Sequence, residues 1–87
     1  MRVVYTEKFL AQAKELPKET QTKLARLLGL LAVNPFNPLL HSKRLTGKLS
    51  QEYSFRITRD WRVIFIFISK DTIKLIMARH RKDVYRK

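Results

Sequence analysis

Eighty-seven residues, 45% of them hydrophobic, make one folded domain and leave no room for a second core. A net charge of +12 and a pI near 10.6 exceed what solubility needs and point to a polyanionic partner, a nucleic acid or an acidic protein. The chain has no cysteine, which excludes a disulfide framework, a thiolate nucleophile and a cysteine-based metal site.

The charge is uneven. Residues 1–40 hold six Lys/Arg against three Glu, a balance of +3, whereas residues 41–87 hold thirteen against four acids, a balance of +9. His41 and His80 are the only imidazoles and the acids are scattered singly, so neither a zinc site, a two-metal site nor another cofactor is expected. The segment Met1–Tyr5 enters a structured pattern without a signal-peptide core, and the longest apolar run, Val63–Ile68, is too short to span a bilayer. A cytoplasmic protein without membrane contact is expected.

Val3-Val4-Tyr5 is a short strand candidate. Thr6 stands where an N-cap belongs, with Glu7 in the first turn, and Phe9, Leu10, Ala13 and Leu16 follow at helical spacing, which predicts an amphipathic helix over 7–16. Pro17 ends that helix and opens a second, in which Leu24, Leu27, Leu28 and Leu31 repeat at i, i+3, i+4 and i+7. Asn34-Pro35-Phe36-Asn37-Pro38 breaks it after about Val33. Residues 39–50 read as a loop, with Leu45-Thr46-Gly47 turning into or beside a strand. Tyr53, Phe55 and Ile57 alternate with Ser54, Arg56 and Thr58, the period of a half-buried strand. Arg59-Asp60 makes a short turn, and Trp61, read as part of it, is a packing residue. Val63–Ile68 is apolar on both faces, as a central strand should be; Lys70-Asp71 turns again, and residues 72–79 form the last strand. The order is β-α-α-β-β-β, an α+β domain with a helix hairpin on one face of a small, mainly antiparallel sheet.

If Tyr53, Phe55 and Ile57 face the helices, Arg56 projects to the other side, where neighbouring strands can bring Arg62 and Arg79 within reach of the same phosphate. Arg81 shares that face with Arg79 if the strand stays extended. Isolated strand-end arginines are often merely solvated, so spacing alone leaves the site open. His80 is the one side chain of this cluster suited to moving a proton near neutral pH, although strand parity sets it against Arg79 and Arg81. His41, in the loop after two prolines, carries no evident role. Tyr85 either anchors the tail or stacks on a base. Lys43, Arg44, Lys48, Arg59, Arg81, Lys82 and Arg86 surround the cluster as expected contacts to a nucleic-acid backbone.

The helix hairpin followed by Leu45-Thr46-Gly47, Tyr53-Ser54-Phe55-Arg56-Ile57, Arg62-Val63-Ile64-Phe65 and the ending His80-Arg81-Lys82-Asp83-Val84-Tyr85 resembles the RelE/ParE toxin superfamily over essentially the whole chain. Asn34-Pro35-Phe36 looks like one branch of it. The resemblance implies the toxin of a type II toxin–antitoxin pair, with a cognate antitoxin that is acidic where it covers the site. RelE-like members enter the ribosomal A site and cut mRNA without metal, using the ribose 2′-OH and passing through a cyclic phosphate. On that pattern Arg62 aligns with an arginine on the scissile phosphate, Arg79 with one that serves the leaving group or transition state, and Tyr85 with a tyrosine that stacks on a base. Arg56 falls where RelE has a catalytic lysine, and Ser54 replaces another lysine. Because a guanidinium holds its proton, Arg56 is a poor base, which leaves His80 as the proton-transfer candidate. Two alternatives remain at this point: a ParE-like inhibitor of DNA gyrase, and a basic RNA-binding module without catalysis.

Overall fold

In the computed structural model, which describes residues 1–46 and 51–84, alternation and helical period become the expected α+β architecture with one added strand. The elements are β1 (Arg2–Tyr5), α1 (Glu7–Lys14), α2 (Lys18–Val33), a 3-10 turn (Pro38–Leu40), β2 (Lys43–Arg44), β3 (Tyr53–Arg56), β4 (Trp61–Ser69), β5 (Thr72–His80) and one helical turn, α3 (Arg81–Val84). The sheet order is β1-β5-β4-β3-β2. Strands β2 to β5 form an antiparallel meander, and β1 runs parallel to β5, the two helices carrying the chain from β1 to β2 at the opposite edge.

The apolar stripe of α2 and Phe9 of α1 cover one face of this sheet. Leu24, Leu27 and Leu31 pack there with Phe55, Val63, Phe65, Ile73 and Leu75, all buried. A smaller cluster lies on the far face, where Leu45 and Ile64 are buried with Ile76 and Met77 against them. These two clusters explain why Val63–Ile68 reads apolar on both sides.

Several boundaries differ from expectation for local reasons. Residues 39–50 are not simply a loop: Lys43 and Arg44 pair with Ser54 and Tyr53, and this seats Leu45 over the far face. Trp61 lies on β4 rather than in a turn, and its ring packs against the main core. The strand around Tyr53 stops at Arg56, yet Ile57 is still buried at 1% exposure in the turn that follows. The first helix ends at Lys14, two residues early, because a residue preceding proline is steered away from helical dihedrals.

Thr6 performs the expected cap, its Oγ1 accepting the Phe9 N–H at 3.0 Å. The same hydroxyl donates toward the carbonyls of Leu75 and Ile76, at 3.0 and 2.9 Å, which ties the start of α1 to β5.

Gly29 sits inside α2 with nothing within 4 Å of where a Cβ would stand. Gly29→Ala should therefore stabilise the protein by about 0.5–1 kcal/mol, because alanine loses less backbone entropy in a helix. Urea unfolding followed by circular dichroism reads this as a higher midpoint at unchanged slope.

At the β4–β5 turn the Ser69 hydroxyl donates to the Asp71 carboxylate at 2.7 Å. This bond and that from Thr72 hold the carboxyl below its ordinary value of 3.8. A lowered folded-state value means stability present above 3.8 and lost as pH falls below it. Tm measured against pH should separate the protein from Asp71→Asn above that value and bring the two together below it.

Candidate nucleic-acid interface

Arg56, Arg62 and Arg79 stand in one row across the sheet. The β3–β4 register sets Arg56 opposite Arg62, and the β4–β5 register sets Arg62 opposite Arg79. Directly paired residues share a face, with Cβ atoms roughly 4.5–5.5 Å apart. The row lies on the face away from α1 and α2, continued by Ser54, Ile64 and Met77, the partners two residues along. Strands β3, β4 and β5 contain no Asp or Glu, so no carboxylate within them offsets the row.

Three like charges side by side are unfavourable without compensation. Part of it comes from the 57–60 turn: the Arg62 Nη1 donates to the carbonyls of Thr58 at 2.8 Å, Arg59 at 2.9 Å and, more weakly, Trp61 at 3.5 Å. Arg62 therefore braces the turn as well as centring the row. Arg56 is exposed and Arg79 half-buried, and among the described residues neither side chain has a hydrogen-bond or ion-pair partner. A phosphate diester laid across the row would meet the planar, bidentate donors that suit it.

A break in the β5 register decides which residues join. The pairing runs Arg62–Arg79, Val63–Ala78 and Ile64–Met77, then shifts so that Phe65 meets Leu75. Ile76 is the extra residue of a β-bulge, a device that re-aims the side chains beyond it. Leu75 and Ala78 consequently both face the main core although they are three positions apart, whereas Ile76 and Met77 both join the far-face cluster. Past the bulge, Arg79 points to the row and His80 to the opposite side.

His80 is accordingly not brought to the arginines. It pairs with Trp61, the ring centroids 5.3 Å apart and nearly perpendicular, while its Nδ1 accepts the Lys82 N–H at 3.3 Å. Arg81 does not extend the row either, because the strand ends at His80 and the chain turns helical. Its N–H donates to the Asp60 carbonyl at 2.7 Å and its Nε lies 3.6 Å from the Asp60 carboxylate. Arg59 is exposed in the turn beside Arg62, and Lys82 is exposed on α3. Lys43, opposite Ser54, shares the face of the row, whereas Arg44, opposite Tyr53, belongs to the helix face. Lys48, Tyr85 and Arg86 lie outside the described residues. Ser54 is 1% exposed, and the far-face cluster of Leu45 and Ile64 lies on its side of the sheet.

Lys74, which the sequence pattern does not single out, stands on the same face as the row, paired with Ile66. Its signal was a single cation between Ile73 and Leu75 in an otherwise apolar strand. Among the described residues no group of three His, Asp or Glu side chains converges in a way that could hold a metal ion, and no helix is long and apolar enough to cross a membrane.

No protein-family model matches this sequence, and no curated protein matches it. Solved structures do match its fold. A YoeB/ParE toxin from Agrobacterium tumefaciens is 21% identical with a TM-score of 0.77, covering 93% of this chain and 99% of its own. YafQ from E. coli is 18% identical with a TM-score of 0.78, covering 98% and 99%. The RelBE2 toxin–antitoxin complex from Mycobacterium tuberculosis contains a chain 20% identical with a TM-score of 0.76, covering 92% of this chain and 96% of that one. The chain thus has the RelE/ParE-like fold that its sequence resembles, and at these identities the likeness is one of fold.

Proposed function

We propose that this protein is the toxin of a type II toxin–antitoxin pair, a ribosome-dependent endoribonuclease that cuts mRNA in the A site by metal-free attack of the ribose 2′-OH. The observation that carries this reading is the Arg56–Arg62–Arg79 row on strands without acids. In the reaction the 2′-oxygen bonds to the adjacent phosphorus and the bond to the 5′-oxygen breaks. The products are a 2′,3′-cyclic phosphate and a 5′-hydroxyl, so the 2′ proton leaves to a base and the leaving oxygen gains one. Negative charge builds on the phosphoryl oxygens midway, and fixed guanidinium donors stabilise it there.

Arg62 and Arg79 hold the phosphate and its developing charge, Arg56 binds beside them, and Tyr85 stacks on a base. His80 is the proton-transfer candidate on this reading, although it faces away from the row, against Trp61. Lys43, Lys48, Arg59, Arg81, Lys82 and Arg86 steer the RNA backbone, giving affinity that falls steeply with salt. Several fold relatives were solved as toxin–antitoxin complexes, including DinJ–YafQ from E. coli and YoeB–YefM from Staphylococcus aureus. The cognate antitoxin of this chain would cover the row with acidic side chains. Action on ribosomes places the protein in the cytoplasm.

One observation favours a second reading, an RNA-binding module without catalysis. The ring of His80 is turned toward Trp61 and Ser54 is buried, so among the described residues no imidazole stands in the row. Induced expression in E. coli with labelled methionine and thymidine separates the readings. A fall in methionine incorporation with shortened mRNA supports the endoribonuclease, and the same fall with intact mRNA supports the binding module. An earlier fall in thymidine incorporation contradicts both and points to gyrase.

A further inference from the structure

Strand β1 ends its pairing with β5 at Tyr5 and Leu75, just before the bulge. Beyond that point the exposed side of β5 is taken over by α1. The Thr6 hydroxyl lies 3.0 and 2.9 Å from the carbonyls of Leu75 and Ile76, the Thr6 N–H donates to Leu75 at 3.2 Å, and the Gln12 Oε1 accepts the Ala78 N–H at 2.9 Å. These contacts bracket the extra residue, Ile76. They also satisfy backbone groups that no strand neighbour on that side reaches.

A strand slipped by one residue exchanges its two faces. If β5 lost its bulge while Leu75 stayed in the core, simple alternation would turn Arg79 toward the helices and His80 toward the row. We propose that Gln12, with Thr6, is a positioning residue. By accepting the Ala78 N–H it locks the β5 bulge, and the bulge selects Arg79 over His80 for the RNA-facing row. This inference rests on the proposed endoribonuclease only for its effect on cutting; its effect on register stands apart. Gln12 stands on α1 and bonds to the backbone of Ala78, so its influence on the row is carried by the backbone of β5.

The test reads register without activity. In an Arg62→Cys, Arg79→Cys protein the two cysteines are direct partners, and oxidation should link them in high yield. Adding Gln12→Leu, similar in size but without an acceptor, should lower that yield severalfold and raise Ala78 amide exchange at least tenfold. Gln12→Glu keeps an acceptor oxygen and should restore both. In the otherwise native chain, Gln12→Leu should lower kcat for cutting and leave KM near its original value. Unchanged cross-linking and exchange in Gln12→Leu would overturn the proposal, as would altered register with full kcat. If the native chain does not cut mRNA at all, the endoribonuclease reading fails, and the cross-link still decides whether Gln12 sets the register.

Discussion

Arg79→Ala should slow translation-dependent mRNA cutting by about 10²–10³-fold, the loss typical when one fixed donor to a developing oxyanion is removed. It should change stability by no more than about 0.5 kcal/mol, because Arg79 has no partner among the described residues whose loss would be felt. Arg62→Ala makes the contrast. It should slow cutting to a similar degree and also destabilise the fold by about 1–2 kcal/mol, since the Thr58 and Arg59 carbonyls of the 57–60 turn lose this donor. Single-turnover cutting on programmed ribosomes measures the first effect and urea unfolding the second. Arg79→Ala cutting at the native rate would remove the row from the chemistry.

Phe65→Ala should cost about 3–5 kcal/mol, the range for emptying a fully buried aromatic site. Phe65 is 0% exposed and sits in the middle of the sheet. Tyr53, Phe67 and Phe55 surround it with ring centroids 5.6, 5.8 and 6.1 Å away. Its removal leaves a cavity that three rigid rings cannot close. Domains of this kind are stable by only about 5–15 kcal/mol, so the variant should populate unfolded chain under mild conditions. A urea midpoint within experimental error of the native one would mean that the aromatic cluster is not the centre of the core.

The helix hairpin was legible because the leucines of α2 and the Thr6 cap are local signals, and the alternation of Tyr53, Phe55 and Ile57 marked β3 equally well. Arg56 and Arg62 flank a short turn, so their pairing also follows from local spacing. Arg79 and His80 are different. Their facing depends on one extra residue in Ile73-Lys74-Leu75-Ile76-Met77-Ala78, a run apolar at every position but one. Alternation cannot mark a bulge in such a run, and what holds it comes from Thr6 and Gln12, far away in sequence. The α3 turn escaped notice for a related reason. Arg81 leaves the strand because the Asp60 carbonyl and carboxylate draw it back, a contact across the sheet that spacing does not reveal. Strand β2 is two residues long, too short for a periodic signal.

Primer extension on a reporter mRNA in a cell-free translation reaction, with and without the protein, tests the central claim most directly. Cuts inside translated codons that vanish when initiation is blocked, and that Arg79→Ala fails to make, are the predicted result. Intact mRNA during continued translation would contradict it.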